Sequence, residues 1–161
     1  MGHPLDDALV AILAMVATTR DDNGVRMGAL PGIEDALIFD GPALELPDQG
    51  RALALGVAGD EAATAFGNDT PSWGGRREVS YDLSCVAESW SGEVDMAPRR
   101  AQALALFEVV RAAIAADESL GGACTRAYVA SWSYIAAQPP EGASAQIPFT
   151  VRVDATRFEG E

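Results

Sequence analysis

From Glu78 to Trp90 the chain reads as a half-buried strand, alternating without a break as far as Cys85. Val79, Tyr81, Leu83, Cys85 and Ala87 fall on one side, and Glu78, Ser80, Asp82 and Ser84 on the other. A period of two marks a strand with one face against a core, and a helix cannot satisfy it. Gln146 to Thr156 repeats the pattern, with Ile147, Phe149, Val151 and Val153 opposed to Thr150, Arg152 and Asp154. Strands of this kind belong to sheets whose second face meets water, which are commonly antiparallel. Pro148 lacks an N–H, so its strand is expected at a sheet edge or bulged at that point.

The elements that could cover such a sheet are two helices. Leu5, Leu9, Ile12, Leu13 and Val16 recur at helical spacing, predicting a helix from Leu5 to about Thr18 with Asp6 and Asp7 at its positive end. Its other faces are mostly Ala, Val and Met, so it should be covered on more than one side, by its own domain or by a neighbouring subunit. A second helix is expected over about 98–116, with Ala103, Leu106, Phe107, Val110, Ala113 and Ile114 as its stripe. Gly121-Gly122 follows as a stop. Asp117 and Glu118 sit badly against the negative end of that helix.

Shorter strands are predicted at Ala36–Phe39, at a piece ending near Leu46, and at Ala52–Ala58. Cys124–Ile135 reads as a long strand with Tyr128, Trp132 and Tyr134 on one face, and Tyr128 and Trp132 are expected in the core. Arg20–Ile33 is turn-rich, and 138–144 links the last two strands. Gly59–Gly75 has no usable periodicity, so 59–77 is expected as a long loop, mobile or interface-forming. The expected fold is α+β: one domain over 1–161, an antiparallel sheet flanked by an N-terminal helix and a second helix at about 98–116.

Charge narrows the function classes. There are 24 acidic residues against 11 basic ones, a formal net charge of −13. That argues against nucleic-acid binding by phosphate neutralisation and against anionic membrane surfaces. The start of the sequence has no basic leader, Asp6 stands where a myristoylation signal needs Ser or Thr, and the longest apolar run is half a membrane span. The expectation is a protein made in the cytoplasm with no membrane contact.

No chemical constellation assembles from the motifs. The single histidine, His3, is near the start, which leaves no base for a Ser-His-Asp or Cys-His arrangement. Asp21-Asp22-Asn23-Gly24 fails as a calcium loop because the flanking carboxylates are missing. Gly74-Gly75-Arg76-Arg77 has neither the lysine nor the following helix of a phosphate loop. Cys85 and Cys124 fall in strands, where a buried thiol is usual. The reading is no enzyme, no cofactor and no metal. Phe66 and Trp73, aromatics in a polar loop, either tuck back or anchor a partner.

The run Arg100-Ala-Gln-Ala-Leu-Ala-Leu-Phe-Glu-Val-Val-Arg-Ala-Ala-Ile, then Ala116-Asp-Glu-Ser-Leu-Gly-Gly, leads directly into a strand. A Pro/Gly link follows, and then Gln146-Ile-Pro-Phe-Thr-Val-Arg-Val-Asp-Ala-Thr-Arg157. This layout resembles the tail terminator (tail completion) proteins of long non-contractile-tailed bacteriophages and related prophages. The resemblance implies a virion structural protein in a hexameric ring that caps the tail tube, stops its elongation and offers the head-docking surface. Its partners would be further copies of itself, the tail tube protein and head–tail connector or neck proteins. DNA would only pass through the lumen, repelled by any acidic lining. The ring would lie at the neck-proximal end of the tail. Phe66, Trp73, Arg76, Arg77, Arg99 and Arg100 are the candidates for subunit or tube contacts, since arginine pairs readily with interfacial carboxylates. Two other readings compete: another neck or connector protein, and a small-ligand-binding module with a pocket lined by Tyr81, Phe107, Tyr128 and Trp132.

Overall fold

The computed structural model describes residues 3–42, 46–56, 65–71, 76–138 and 142–158. Helix α1 spans Pro4–Val16, β1 Arg26–Met27, β2 Leu37–Asp40, β3 Gly50–Leu55, β4 Ala65–Pro71 and β5 Arg76–Ser91. Helix α2 follows at Met96–Ala116, then a 3₁₀ turn at Leu120–Gly122, β6 at Arg126–Trp132, β7 at Ile135–Ala137 and β8 at Ala143–Phe158. The fold is α+β, as the alternating segments require.

The two alternating segments form the spine of the sheet. β5 and β8 are each 16 residues long and pair antiparallel from Arg76↔Phe158 to Ser91↔Ala143. β3 and β4 share the other flank of β5, while β6 and β7 share the other flank of β8. β2 joins β3 in parallel, the one parallel pair among the described strands, and β1 closes that end. Both helices cover the face carrying Val79, Leu83, Cys85, Ile147, Val151 and Val153, all buried. Phe107 of α2 is the largest fully buried side chain among the described residues, its ring tilted against that of Phe149 with centroids 5.1 Å apart.

Each helix begins where a side chain satisfies its free amides. His3 accepts from the Leu5 N–H through Nδ1 at 3.2 Å, and Pro4 starts α1 without an N–H to satisfy. Asp95 accepts from the Ala97 N–H at 3.2 Å, which starts α2 at Met96, slightly earlier than expected. The acids beyond α2 also find their reason. Asp117 accepts from the Ser119 hydroxyl at 3.0 Å and the Gly121 N–H at 2.9 Å, shaping the 3₁₀ turn. Glu118 takes Arg126 Nε at 3.0 Å, tying that turn to β6.

Three expectations are corrected. The 59–77 segment is not loop throughout: β4 occupies Ala65–Pro71, paired with Leu83 back to Arg77, and Arg76 and Arg77 open β5. The flank of a strand as long as β5 extends past β3 and demands a partner for its backbone groups, whatever the local pattern. Cys124–Ile135 is two strands, because the register shifts between Val129 and Ser131 and β6 stops at Trp132. The extra residue turns the alternation over, so Tyr128 shares Arg152's polar face while Trp132 sits opposite Phe149 on the helix face. Pro148 is internal to the sheet, and the interruption is its solution. The Ser133 N–H donates to the Pro148 carbonyl at 2.9 Å in the gap between β6 and β7, where an N–H on Pro148 would have had no regular partner.

Candidate interaction surface

The residues singled out from the sequence are not gathered in one place. Arg99 is half-buried and turned onto its own sheet, donating to the Trp90 carbonyl at 3.1 Å and the Ser89 hydroxyl at 3.4 Å. Ser89 is fully buried and donates in turn to Gln102 at 3.0 Å, so this group closes the junction between β5 and α2. Arg100, next in the helix, is exposed. Arg77 is half-buried in β5, opposite Pro71 and Arg157. Phe66 pairs with Asp82 in β4 and Arg76 with Phe158 in β5, but their side chains lie outside the described residues. Trp73 lies outside them altogether.

Neither do the four aromatics expected to line a ligand pocket converge. Tyr81 and Phe107 are packed into the core. Tyr128 is on the far face of the sheet, under the Arg126 guanidinium at 4.6 Å. Trp132 is 48% exposed at the sheet edge, where its ring meets Phe107 at 5.4 Å.

The face of the sheet away from the helices is polar and paired within itself. Ser80 donates to Asp154 at 2.7 Å, and Arg152 lies 3.4 Å from Asp154 and 3.7 Å from Asp82. Gln146 donates to Glu88 at 3.0 Å. Burial holds the Glu88 carboxyl above the usual carboxylate range, partly offset by that hydrogen bond. Across the sheet, Arg51 bonds Asp35 through Nε at 3.0 Å, which lowers the pKa of that carboxyl.

Among the described residues apolar side chains are exposed at Val25, Leu46 and Val94 and in two further regions. One is the edge formed by β6 and β7. Trp132, Tyr134 and Ile135 are exposed there, and Val94, in the link between β5 and α2, is 69% exposed. Gln138 fixes that neighbourhood by donating to the Val94 carbonyl at 2.8 Å. From Ala127 to Gln138 there is no charged residue. That run was visible in the sequence. Its exposure was not, because the bulge that turns Trp132 over leaves no mark in the residue types.

The second region is a cleft of about 830 Å³ between α1 and the segment leading into β6. Val10, Ala11 and Ala14 of α1 form one wall, and Gly121 to Thr125 form the other. Ala155 and Thr156 of β8 lie between them, and His3, Pro4 and Asp7 are at the N-terminal end of the helix. Val10 is 57% exposed, so α1 is covered on one side only. Cys124 is half-buried in this cleft, its thiol pKa raised by burial and by Asp117 and Asp154. Cys85 is sealed in the core, its thiol pushed up to about 12 by burial. Among the described residues no group of His, Cys, Asp and Glu is arranged to hold a metal ion, and no helix is long and apolar enough to cross a membrane.

No protein-family model matches this chain, and no curated protein sequence matches it.

Proposed function

We propose that this chain is a structural subunit of the tail terminator kind. Copies of it would form a ring, six-membered by the resemblance, that caps a phage tail tube, stops its elongation and offers the surface on which the head docks. The observation that carries this reading is the order of parts. Helix α2, its glycine turn, the edge strands β6 and β7 and the long closing strand β8 follow one another in an order that supports the resemblance. The described ionisable groups support assembly over chemistry: those on the polar face pair with one another, and both thiols are held protonated. Trp132, Tyr134 and Ile135 carry apolar surface outward on the β6–β7 edge, as a subunit with neighbours would need. With a net charge of −13 per subunit, a ring would repel DNA from its acidic surfaces and let it pass without sticking.

The test is tube growth. Purified tail tube subunits are polymerised with and without the protein, and tube lengths are measured by negative-stain microscopy. The expected result is tubes that stop lengthening and carry a ring at one end. Tubes that grow equally fast in its presence, with bare ends, would sink the reading.

A further inference from the structure

The turn between α1 and β1 carries chemistry that assembly does not use. The chain has two asparagines, Asn23 and Asn68, and only Asn23 is followed by glycine. Residues 21–25 are all exposed, and a side chain added at Gly24 would meet nothing within 4 Å. Solvent therefore reaches the Asn23–Gly24 peptide freely, and Gly24 has no Cβ to shield its nitrogen.

Hydrogen bonds define the shape of this turn. The Gly24 N–H donates to the Asp21 carbonyl at 3.0 Å, closing a β-turn with Asp22 and Asn23 at its centre. Neither central residue has a positive φ and no peptide is cis, so the hydrogen-bonded turn is type I. Gly24 follows with φ +77°, and the Asp21 N–H donates to the Val25 carbonyl at 3.0 Å. That completes the three-residue hairpin loop which a type I turn makes with a left-handed glycine. Asp21 also braces the loop from inside, its Oδ1 accepting from the Asn23 N–H at 2.8 Å and the Val25 N–H at 2.9 Å.

An asparagine in this position can lose its amide to its own backbone. The Gly24 nitrogen gives its proton to solvent base and attacks Cγ of Asn23. The N–Cγ bond forms, the Cγ–Nδ2 bond breaks, and ammonia leaves with a proton taken from water. Water then opens the cyclic imide on one side to aspartate or on the other to isoaspartate, and nothing is oxidised or reduced. Ring closure needs Cβ of Asn23 and the Gly24 nitrogen nearly eclipsed about the Cα–C bond. With ψ of about 0° at the second central residue of a type I turn, they are held apart. The N–H that must lose its proton is moreover already donated to Asp21. We propose that Asn23 is a deamidation site of this protein, and that Asp21 sets its rate by holding the turn in a form that cannot cyclise. Isoaspartate lengthens the backbone by one atom, so its formation would part Asp21 from Val25 and keep the loop from closing again.

The test incubates the full chain near neutral pH and follows the exchange of amide nitrogen for oxygen by mass spectrometry. Trypsin frees Asp21–Arg26, which holds Asn23 and no other amide side chain. In the folded parent the exchange should be slow, and in urea many-fold faster, with Asn23 well ahead of Asn68. Folded Asp21→Ala should deamidate at Asn23 several-fold faster than the parent. Asp21→Asn keeps an oxygen that accepts from both amides and should stay close to the parent rate, which separates the hydrogen bonds from the charge. A folded parent that reacts as fast as the unfolded one, or an unfolded chain in which Asn23 does not lead, would overturn the site. Asp21→Ala reacting at the parent rate while folded, or Asp21→Asn as fast as Asp21→Ala, would overturn the role of Asp21. The comparison of folded parent with urea stands even where Asp21→Ala fails to fold. None of these outcomes bears on the terminator reading, which tube growth tests separately.

Discussion

Glu88 sits on the polar face of the sheet with its carboxyl half-buried beside Gln146. Its pKa is raised, so the folded state prefers the protonated form. Its favourable contribution is therefore complete below the ordinary value of 4.5 and is lost as pH rises through the raised one. Glu88→Gln removes the charge while keeping an oxygen that can accept from Gln146. It should raise the unfolding free energy measured with denaturant near neutral pH, by about 1 kcal/mol or less, and the gain should vanish at about pH 4. An unchanged difference across that range would mean that Glu88 is ionised without cost. Asp35 behaves with the opposite sign. Arg51 lowers its pKa, so whatever stability the pair contributes is present above the ordinary carboxylate value and lost in acid. Asp35 is well exposed, and that loss should be small. None of these partnerships could be read from the sequence. Which of eleven arginines meets a carboxylate, and which one turns inward as Arg99 does toward Ser89, depends on what the fold brings beside it.

At the scale of the element, the strongest patterns survived into the structure. The two alternating segments became β5 and β8, and the two apolar stripes became α1 and α2, with ends moved by capping groups at His3 and Asp95. What stayed hidden was whatever is imposed from elsewhere. β4 reads Ala-Phe-Gly-Asn-Asp-Thr-Pro, poor in strand-forming residues, and it is a strand because β5 offers it an unpaired flank. The bulge in β6 is a matter of register and changed which face Trp132 takes. Helix α2 buries Ala103, Leu106, Phe107, Val110 and Ile114, and Phe107, the largest of them, packs against Phe149 and Trp132. Phe107→Ala should cost about 3–5 kcal/mol in urea unfolding, because the surrounding strands cannot collapse into the space. A loss below about 1 kcal/mol would mean that the helix is anchored elsewhere.

For the whole molecule, acidity and assembly pull against each other. A net charge of −13 keeps single chains apart, and any apolar contact between copies has to overcome that repulsion. Added salt should therefore tighten self-association: raising sodium chloride from about 0.05 to 0.5 M shortens the screening length and should shift the monomer–multimer balance toward multimer in sedimentation runs. Weakening by salt would place ion pairs between the copies instead.

The full-length pairing of β5 with β8 also governs when the protein can exist. Arg76 meets Phe158, so the sheet's central ladder joins residues far apart in the chain. Until β8 leaves the ribosome, β5 lacks one whole neighbour and β6 has none. A nascent chain halted before Ala143 would present its helices and half a sheet with the core face open. Folding should be late, slow for the size of the domain, and almost indivisible.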